Sequence, residues 1–233
     1  MPEFAAEERN KVRRAPNRAK YDRDTVYAII DEALYCHIGF VQEGRPYVIP
    51  ANHGRSGDRL LLHGSVASRM LNVVESGAPL CVAFTLLDGL VLARSVFSHS
   101  VNYRSAVIFG SGELILDPDE KWSALETITE HIMPGRWADA RQPTVKELAA
   151  TAVVAVGIES ASSKVRTGPP GDSEQDYALP VWAGVLPVRR TFLDPQPDPA
   201  RSSDIDVPDY MADYWRSQLS VPVDAQQDEN LAS

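Results

Sequence analysis

Cysteine and the common nucleotide-binding signatures are scarce in this sequence. Its 233 residues include two cysteines, Cys36 and Cys81, and each lies inside an apolar run. This placement predicts two buried thiols rather than a disulfide framework or a metal site, and it fits a reducing compartment. The five histidines form no HxxxH or HxH pair, so no zinc motif is present. Walker A, GxGxxG and GxSxG motifs are also missing, which argues against the folds that use them.

Long apolar runs and positive charge are lacking as well. No run approaches the roughly 20 apolar residues that a membrane-spanning helix needs. The first 20 residues carry scattered charges where a signal peptide would be apolar. We therefore expect a cytoplasmic protein without membrane contact. The net charge of -9 argues against nucleic-acid binding, which requires a positive excess.

Composition divides the chain into three predicted regions. Residues 1–20 form a basic, apolar-poor arm that is mobile or packs on a partner subunit. Residues 21–193 form one domain. Residues 194–233 form an acidic tail rich in Asp and Pro, in which DYMADYWRSQL could form a short helix. Because this tail has nine acidic residues against two arginines, the rest of the chain is close to -2 and can hold a local basic site.

The predicted elements are short strands with a few helices. Helical spacing occurs in DRDTVYAIIDEAL, with Asp24 as a plausible N-cap, and in VASRMLNVVESG, DEKWSALETITEHIM and TVKELAAT. Strands separated by turn signals include CHIGFVQ, YVIPANH, RLLLHG, SAVIFGSGELIL and WAGVLPVRR. APLCVAFTLLDGLVLARSVF is either a hairpin turning at Asp88 and Gly89 or one long bent strand. The pattern predicts a mainly β fold, a small closed or nearly closed antiparallel barrel with peripheral helices.

Three polar segments are candidates for anion binding. In LLLHGSVASRMLN, a strand ends at His63 and passes into a helix whose first turn holds Ser68 and Arg69, a combination of hydroxyls, backbone donors and guanidinium that suits phosphate. An ordinary Ser-capped helix is the alternative. Residues 93–113 begin with a dense run of polar donors, and a polar hairpin loop is the alternative there. In SSKVRTGPPGD, Lys164 and Arg166 alternate and so share a side, for which a solvated cationic edge is the simpler interpretation.

The order of these segments resembles a known family. The segments that carry the resemblance are PYVIPAN, LLLHGSVASRM, GLVLARSVFSHSVNYRSAVIFG, PGRWADARQPTVKELAAT, SSKVRTGPPGD and LPVWAGVLPV. Over about residues 20 to 190, the chain resembles the flavin-nucleotide-binding branch of the pyridoxamine 5'-phosphate oxidase-like split barrels. This branch includes the nitroimidazole-resistance (Nim) proteins. The resemblance implies a six-stranded antiparallel split β-barrel. It also implies a homodimer with FMN at the subunit interface.

The resemblance carries over to individual positions of this chain. The cofactor-binding residues it implies are Tyr47, Val48, Ile49, Pro50, His63, Gly64, Ser65, Ser68, Arg69, Asn102, Tyr103, Arg104, Ser105 and Trp182. Residues 47–50 would line the isoalloxazine ring, while Ser68 and Arg69 would bind the phosphate. A basic residue of relatives is replaced by Met70, which leaves Arg69 to carry the charge with help from Arg104. No metal ligand is implied.

The implied activity is that of an FMN-dependent oxidoreductase. It would take electrons from a reduced nicotinamide and pass them to a small acceptor such as a nitroaromatic or a quinone. His63 is a candidate for proton donation or for stacking on the acceptor, with a packing role as the alternative. A flavin-binding protein that stores or senses flavin is the second hypothesis. A pyridoxamine 5'-phosphate oxidase ranks lower, since no clear counterparts of the substrate-binding arginines stand near Trp182. A heme-binding variant of the same barrel is the third hypothesis.

Overall fold

A computed structural model describes residues 3–200, 206–212 and 214. Within these residues the fold is built from strands and shorter helices. The strands are β1 (Ala19–Lys20), β2 (Cys36–Gln42), β3 (Arg45–Ala51), β4 (His53–Ser56), β5 (Arg59–Ser65), β6 (Pro79–Leu92), β7 (Ser100–Leu114), β8 (Thr151–Gly157), β9 (Ser160–Arg166) and β10 (Gly184–Pro187). The α-helices are α1 (Arg23–Glu32), α2 (Arg69–Glu75), α3 (Pro118–Ile132), α4 (Arg136–Asp139), α5 (Val145–Ala150) and α6 (Asp209–Ala212). Short 3-10 helices span Pro16–Arg18, Val96–Ser98 and Glu174–Ala178.

The strands form one sheet whose main path runs β3-β2-β6-β7-β8-β5-β4. Strand β9 pairs with β1 and β7, and β10 pairs with β6. Every pair with a described register is antiparallel. In the described part of the chain, β3 and β4 are the two ends of this path, so the sheet stays open. The predicted mainly β fold of the split-barrel type is confirmed.

The chain divides into two compact units. The larger unit comprises residues 1–86 and 104–165, and the smaller unit comprises residues 87–103 and 166–233. Strands β6 and β7 each continue from one unit into the other. The boundaries predicted from composition, after residues 20 and 193, stay predictions.

The larger unit holds an extensive apolar core. Apolar side chains of α1 and α2 pack against those of the strands, and the largest fully buried members include Phe84, Ile29, Ile30, Ile38, Leu60 and Leu62. A second, smaller cluster lies between α3 and the β5–β8 pair and contains Leu61, Ile115, Ala124, Ile128, Val153 and Ala155. Because burying a Leu, Ile or Phe side chain contributes about 1.5–3 kcal/mol, these clusters fix the strands that position the candidate site.

The two predictions about local structure near α1 and β6 have different outcomes. Helix α1 is confirmed, but its N-cap is Asp22 and not Asp24, because the Asp22 side chain accepts a hydrogen bond of 2.8 Å from the Thr25 N–H. Asp24 lies inside the first turn. Strand β6 is one long strand, since Gly89 continues the ladder and pairs with Pro187 of β10. The hairpin alternative at Asp88 and Gly89 is therefore wrong.

The β2–β3 hairpin turns through Glu43 and Gly44, as the turn signal predicts. Both residues have positive φ, 52° and 73°, which is typical of a type I′ turn. The turn is closed by the pair Gln42 and Arg45. In such a hairpin the closing pair is hydrogen-bonded and the pattern then alternates along the strands.

This alternation determines which backbone N–H groups of β3 face away from β2, at the outer edge of the sheet. The N–H positions of residues 46, 48 and 50 face away from β2, and two of them are Pro46 and Pro50, which have no N–H. The edge therefore presents the N–H of Val48 alone as a backbone donor between the two prolines. Prolines at such positions are typical of exposed edge strands.

The described part of the predicted N-terminal arm packs on its own chain. Phe4 is buried, and its N–H donates to the Tyr21 carbonyl over 2.9 Å. The buried Asn10 donates to the carbonyl of Ala161 over 3.1 Å.

At the C-terminal end, helix α6 corresponds to the first four residues of the predicted terminal helix. The remaining residues of that helix lie largely outside the described ones. Among the described residues, no helix has the length and apolar character needed to cross a membrane.

Candidate functional site

The site is built around the turn that joins β5 to α2. The Ser68 N–H donates to the Ser65 carbonyl over 2.9 Å, which closes the turn before α2 begins at Arg69. The Ser65 hydroxyl oxygen accepts from the Ala67 N–H over 3.2 Å, and that of Ser68 accepts from Leu71 over 3.3 Å. Each hydroxyl keeps its own proton to donate to a ligand.

Gly64 and Ser68 are in close proximity within this turn. A side-chain carbon placed on Gly64 would lie 3.7 Å from the Ser68 hydroxyl oxygen. A side chain at position 64 would thus be in ordinary contact with this hydroxyl, and glycine leaves that space open. The structure therefore brings together the four predicted residues Gly64, Ser65, Ser68 and Arg69.

Arg69 carries a positive charge without an acidic partner in the described part of the chain. Its guanidinium carbon lies 5.1 Å from the centroid of the Tyr47 ring, and its side chain is exposed. Other arginines are paired with carboxylates, for example Arg55 with Asp31. A guanidinium that is free of carboxylates can offer its N–H donors to an anion.

His63 lies on β5 two residues before the turn, paired with Val153. Its side chain is exposed, yet the protein atoms around the ring disfavour the charged imidazolium and so lower the pKa of His63. The ring is consequently neutral at pH 7, with a lone pair available.

The predicted ring-lining residues 47–50 lie on β3 and alternate between two faces. Tyr47 and Ile49 are partly buried and pack on the core, while Val48, with 67% of its surface exposed, and Pro50 face outward. The Tyr47 ring stacks on Phe40 of β2 with centroids 5.6 Å apart. Only alternate members of this set can therefore contact one ligand from the same side.

The predicted polar residues of β7 have partners elsewhere in the protein. Arg104 pairs through both terminal nitrogens with the Glu32 carboxylate, with one contact at 2.8 Å. The Ser105 hydroxyl donates to the Lys164 carbonyl over 3.4 Å. The expected help of Arg104 at the phosphate thus has a competing partner in Glu32, which the sequence did not indicate. Their role in cofactor binding stays a prediction.

Arg166 corrects the prediction of a solvated cationic edge. The residue is buried in the smaller unit, where it donates to Asn102, to the Gly168 carbonyl over 3.2 Å and to the Pro169 carbonyl over 3.0 Å. Asn102 in turn donates to the Gly168 carbonyl over 3.1 Å. Arg166 and Asn102 together hold the loop after β9. Strand alternation could not reveal this, because it does not say which side is covered.

The smaller unit contains a second hydrogen-bond network, centred on Asp172, that was not predicted from the sequence. The Asp172 side chain has no exposed surface and accepts from the backbone N–H groups of Arg94 and Ser95 and from the Arg94 guanidinium, which lies over the Tyr177 ring. Desolvation would raise the pKa of Asp172, but these hydrogen bonds outweigh it and lower the pKa. The bonds join parts of the chain 77 and 78 residues apart, so no local pattern signals them.

The smaller unit also presents exposed aromatic and apolar side chains. Trp182 is 68% exposed, and Val96 and Phe97 are 87% and 96% exposed. His99 follows them, with Nδ1 at 2.9 Å from the Ser95 carbonyl. This contact orients the imidazole and leaves Nε2 for another partner. Tyr103 is half-buried. Among the residues that the structure covers, no group of three or more His, Cys, Asp or Glu residues is arranged to hold a metal ion.

Comparison with known proteins gives the family and several structural relatives. A model of the family described as pyridoxamine 5'-phosphate oxidase matches residues 22–165. The flavocytochrome Anf3 from Azotobacter vinelandii is 42% identical with a TM-score of 0.85, over 91% of this chain and 98% of the other. A FAD and heme binding protein from Mycobacterium smegmatis is 36% identical with a TM-score of 0.80, over 84% and 96%.

A more distant likeness is to a candidate 5-nitroimidazole antibiotic resistance protein from Bacteroides thetaiotaomicron. It is 28% identical with a TM-score of 0.54, over 63% of this chain and 86% of the other. None of the curated proteins matches this chain.

Proposed function

Because this chain belongs to the pyridoxamine 5'-phosphate oxidase family, we propose that it binds a flavin nucleotide and acts as a flavin-dependent oxidoreductase. The observation that carries the proposal is the likeness, over nearly the whole chain, to a flavocytochrome. A bound flavin would supply the transfer of hydride and single electrons. The residues of this chain would bind it, orient it and limit its contact with water.

The β5–α2 turn fits the phosphate of a flavin nucleotide. Arg69 has no carboxylate partner in the described residues, and the hydroxyls of Ser65 and Ser68 have protons to donate. Charge-assisted hydrogen bonds of this kind contribute about 1.5–3 kcal/mol each. In this proposal Arg69 and Ser68 hold the phosphate, and His63 stands nearby on β5 for ring contact, since its lowered pKa makes it a poor proton donor at pH 7.

The relatives bear on which flavin is bound and on whether heme is a second cofactor. The resemblance read from the sequence implied FMN, whereas the relative from Mycobacterium smegmatis is a FAD and heme binding protein. We infer FAD as the bound flavin, with FMN as the alternative, and heme as a second cofactor. Imidazole is a good iron ligand, and His63 and His99, whose Nδ1 contacts a backbone carbonyl, are two exposed histidines that fit this role.

The proposed function also includes an electron donor, an electron acceptor and an oligomeric state. A reduced nicotinamide would supply the electrons, and a small acceptor such as a nitroaromatic or a quinone would receive them. The likeness to a candidate nitroimidazole resistance protein supports this acceptor class. The protein would work as a homodimer. A flavin-storing or flavin-sensing protein is the alternative function.

Identification of the bound cofactors in the purified protein tests the proposal. We expect a yellow protein that releases a flavin on denaturation, with FAD distinguished from FMN by chromatography and heme detected by its pyridine complex. The flavin should bleach with NADH or NADPH under anaerobic conditions and recover when a nitro compound is added. A flavin that neither nicotinamide reduces would favour storage or sensing. A colourless protein that takes up no FAD or FMN would contradict flavin binding altogether.

A further inference from the structure

The geometry points to a second role for Tyr47, which rests on the proposed flavin site. We propose that Tyr47 is a positioning residue that holds the Arg69 guanidinium for the flavin phosphate, and that it thereby makes the site selective for phosphorylated flavins over riboflavin. The ring-lining role expected from the resemblance differs from this one, because it would stabilise all flavins alike.

The contact between Tyr47 and Arg69 has the distance of a cation–π interaction. The guanidinium carbon lies 5.1 Å from the ring centroid, inside the limit of about 6 Å for such pairs. An aromatic ring attracts the cation without offering a carboxylate that would compete with phosphate. The N–H donors of Arg69 therefore remain available, while a long and otherwise exposed side chain is restricted to one region.

Both partners are mounted on rigid parts of the larger unit. The Tyr47 ring stacks on Phe40 with an interplanar angle of 21°, and Phe40 is buried in the core. Arg69 is followed by the buried residues Met70 and Leu71, which fix the start of α2 against the same core. The stack of Phe40, Tyr47 and Arg69 thus links the β2–β3 hairpin to the β5–α2 turn.

Pre-positioning matters because a free arginine loses side-chain entropy on binding. Restricting a long side chain costs conformational entropy, and in this protein the contact with Tyr47 restricts Arg69 before the ligand binds. Arg104 cannot substitute readily, since its guanidinium is engaged with Glu32. The phosphate affinity should consequently depend on Tyr47 although Tyr47 does not contact the phosphate.

Replacement of the ring provides the test. Affinities for riboflavin, FMN and FAD are measured by fluorescence quenching on apoprotein of the wild type, Tyr47→Ile and Tyr47→Phe. Tyr47→Ile should weaken the binding of the phosphorylated flavin roughly 2- to 30-fold, the range that a cation–π contact supplies, and leave riboflavin unchanged. Tyr47→Phe keeps a ring face and should restore the affinity. Tyr35→Ile removes an exposed tyrosine whose ring has no cation over it among the described residues, and it is the matched control.

A double-mutant cycle separates positioning from packing. In an Arg69→Gln background, Tyr47→Ile should cause no additional loss of phosphorylated flavin. Equal weakening of riboflavin and FMN by Tyr47→Ile would overturn the inference and support the ring-lining role, as would an undiminished effect in the Arg69→Gln background. If Tyr47→Ile does not fold, failure of Tyr47→Phe to keep the FMN-over-riboflavin preference overturns it instead. Wild-type protein that binds no flavin of any kind overturns the proposed function and this inference together.

Discussion

The Cys36 thiol lies in the core of the larger unit, with its sulfur 3.5 Å from the Ala51 carbonyl oxygen. Burial raises the pKa of Cys36 to about 12. Burial also raises the pKa of Cys81, which is only partly covered. The sequence predicted both as buried thiols, and the structure confirms this fully for Cys36. The reactive form is the thiolate, so the two residues should differ in reactivity.

We expect iodoacetamide to label Cys81 and spare Cys36 in the native protein at pH 8. With a pKa of about 12, Cys36 has only about one thiolate in ten thousand molecules at that pH, and its sulfur is covered as well. Mass spectrometry of peptides from native and urea-unfolded samples gives the labelled fraction at each site. Cys81→Ser serves as the control, and should abolish native labelling. Rapid native labelling of Cys36 would contradict the buried environment.

The candidate site shows which residue roles a sequence can indicate. The proximity of Ser68 and Arg69 was predictable, because a strand end, small residues and an arginine stand together within a few positions, and their role at a phosphate stays a prediction. Glu32 as the partner of Arg104 was not, because the two lie 72 residues apart. The Arg69 contact with Tyr47 was likewise hidden, since it depends on how a hairpin and a turn approach in space.

Among the elements, most helices and most strands follow from local pattern. The capping box at α5 joins Thr144 and Glu147, and the helix predicted in that segment is present as expected. Strand β6 was ambiguous, because Asp88 and Gly89 form a common hairpin dipeptide. Its continuation depends on Pro187 of β10, far along the chain, which no window of neighbouring residues contains.

The hairpin turn between β2 and β3 stores a small amount of strain. Glu43 has a φ of 52°, in the left-handed region that favours Gly and Asn over other residues. Glu43→Asn should therefore stabilise the protein by about 1 kcal/mol, seen as a rise of roughly 2–4 °C in the thermal midpoint. Calorimetry checks this, with Glu43→Ala as the control that removes the same charge and should give no such gain. An unchanged midpoint for Glu43→Asn would show that the turn carries no strain.

At the scale of the whole molecule, the class of fold was predictable and the long-range packing was not. Short strands with turn signals indicated an antiparallel barrel, which the structure confirms. The arm at residues 1–20 was expected to be mobile or to lie on a partner. Its described part packs on its own chain, through contacts such as Asn10 with Ala161, 151 residues away, and contact with a partner stays a prediction. The polar composition of a segment does not indicate that one of its side chains, such as the Asn10 amide, is buried.

Removal of the two prolines at the edge of β3 should change how molecules associate. Pro46→Thr combined with Pro50→Thr restores two outward N–H groups at the end of the sheet. We expect this variant to form larger, concentration-dependent assemblies, whereas the parent keeps one discrete size. Analytical ultracentrifugation at several concentrations measures both, and Pro195→Thr with Pro197→Thr, outside the sheet, is the control. The same size distribution for all three proteins would contradict the role of the prolines.

The edge of β3 also limits the kind of symmetry a homodimer can have. A second copy cannot add its own β3 alongside to make a continuous intermolecular sheet, because a ladder needs alternating donors and only Val48 supplies one between the prolines. An interface between two copies at the β3 edge would therefore be made by side chains, with the two sheets kept as separate layers there. Any ligand shared by two copies would then be enclosed between side-chain surfaces, and its affinity would depend on protein concentration.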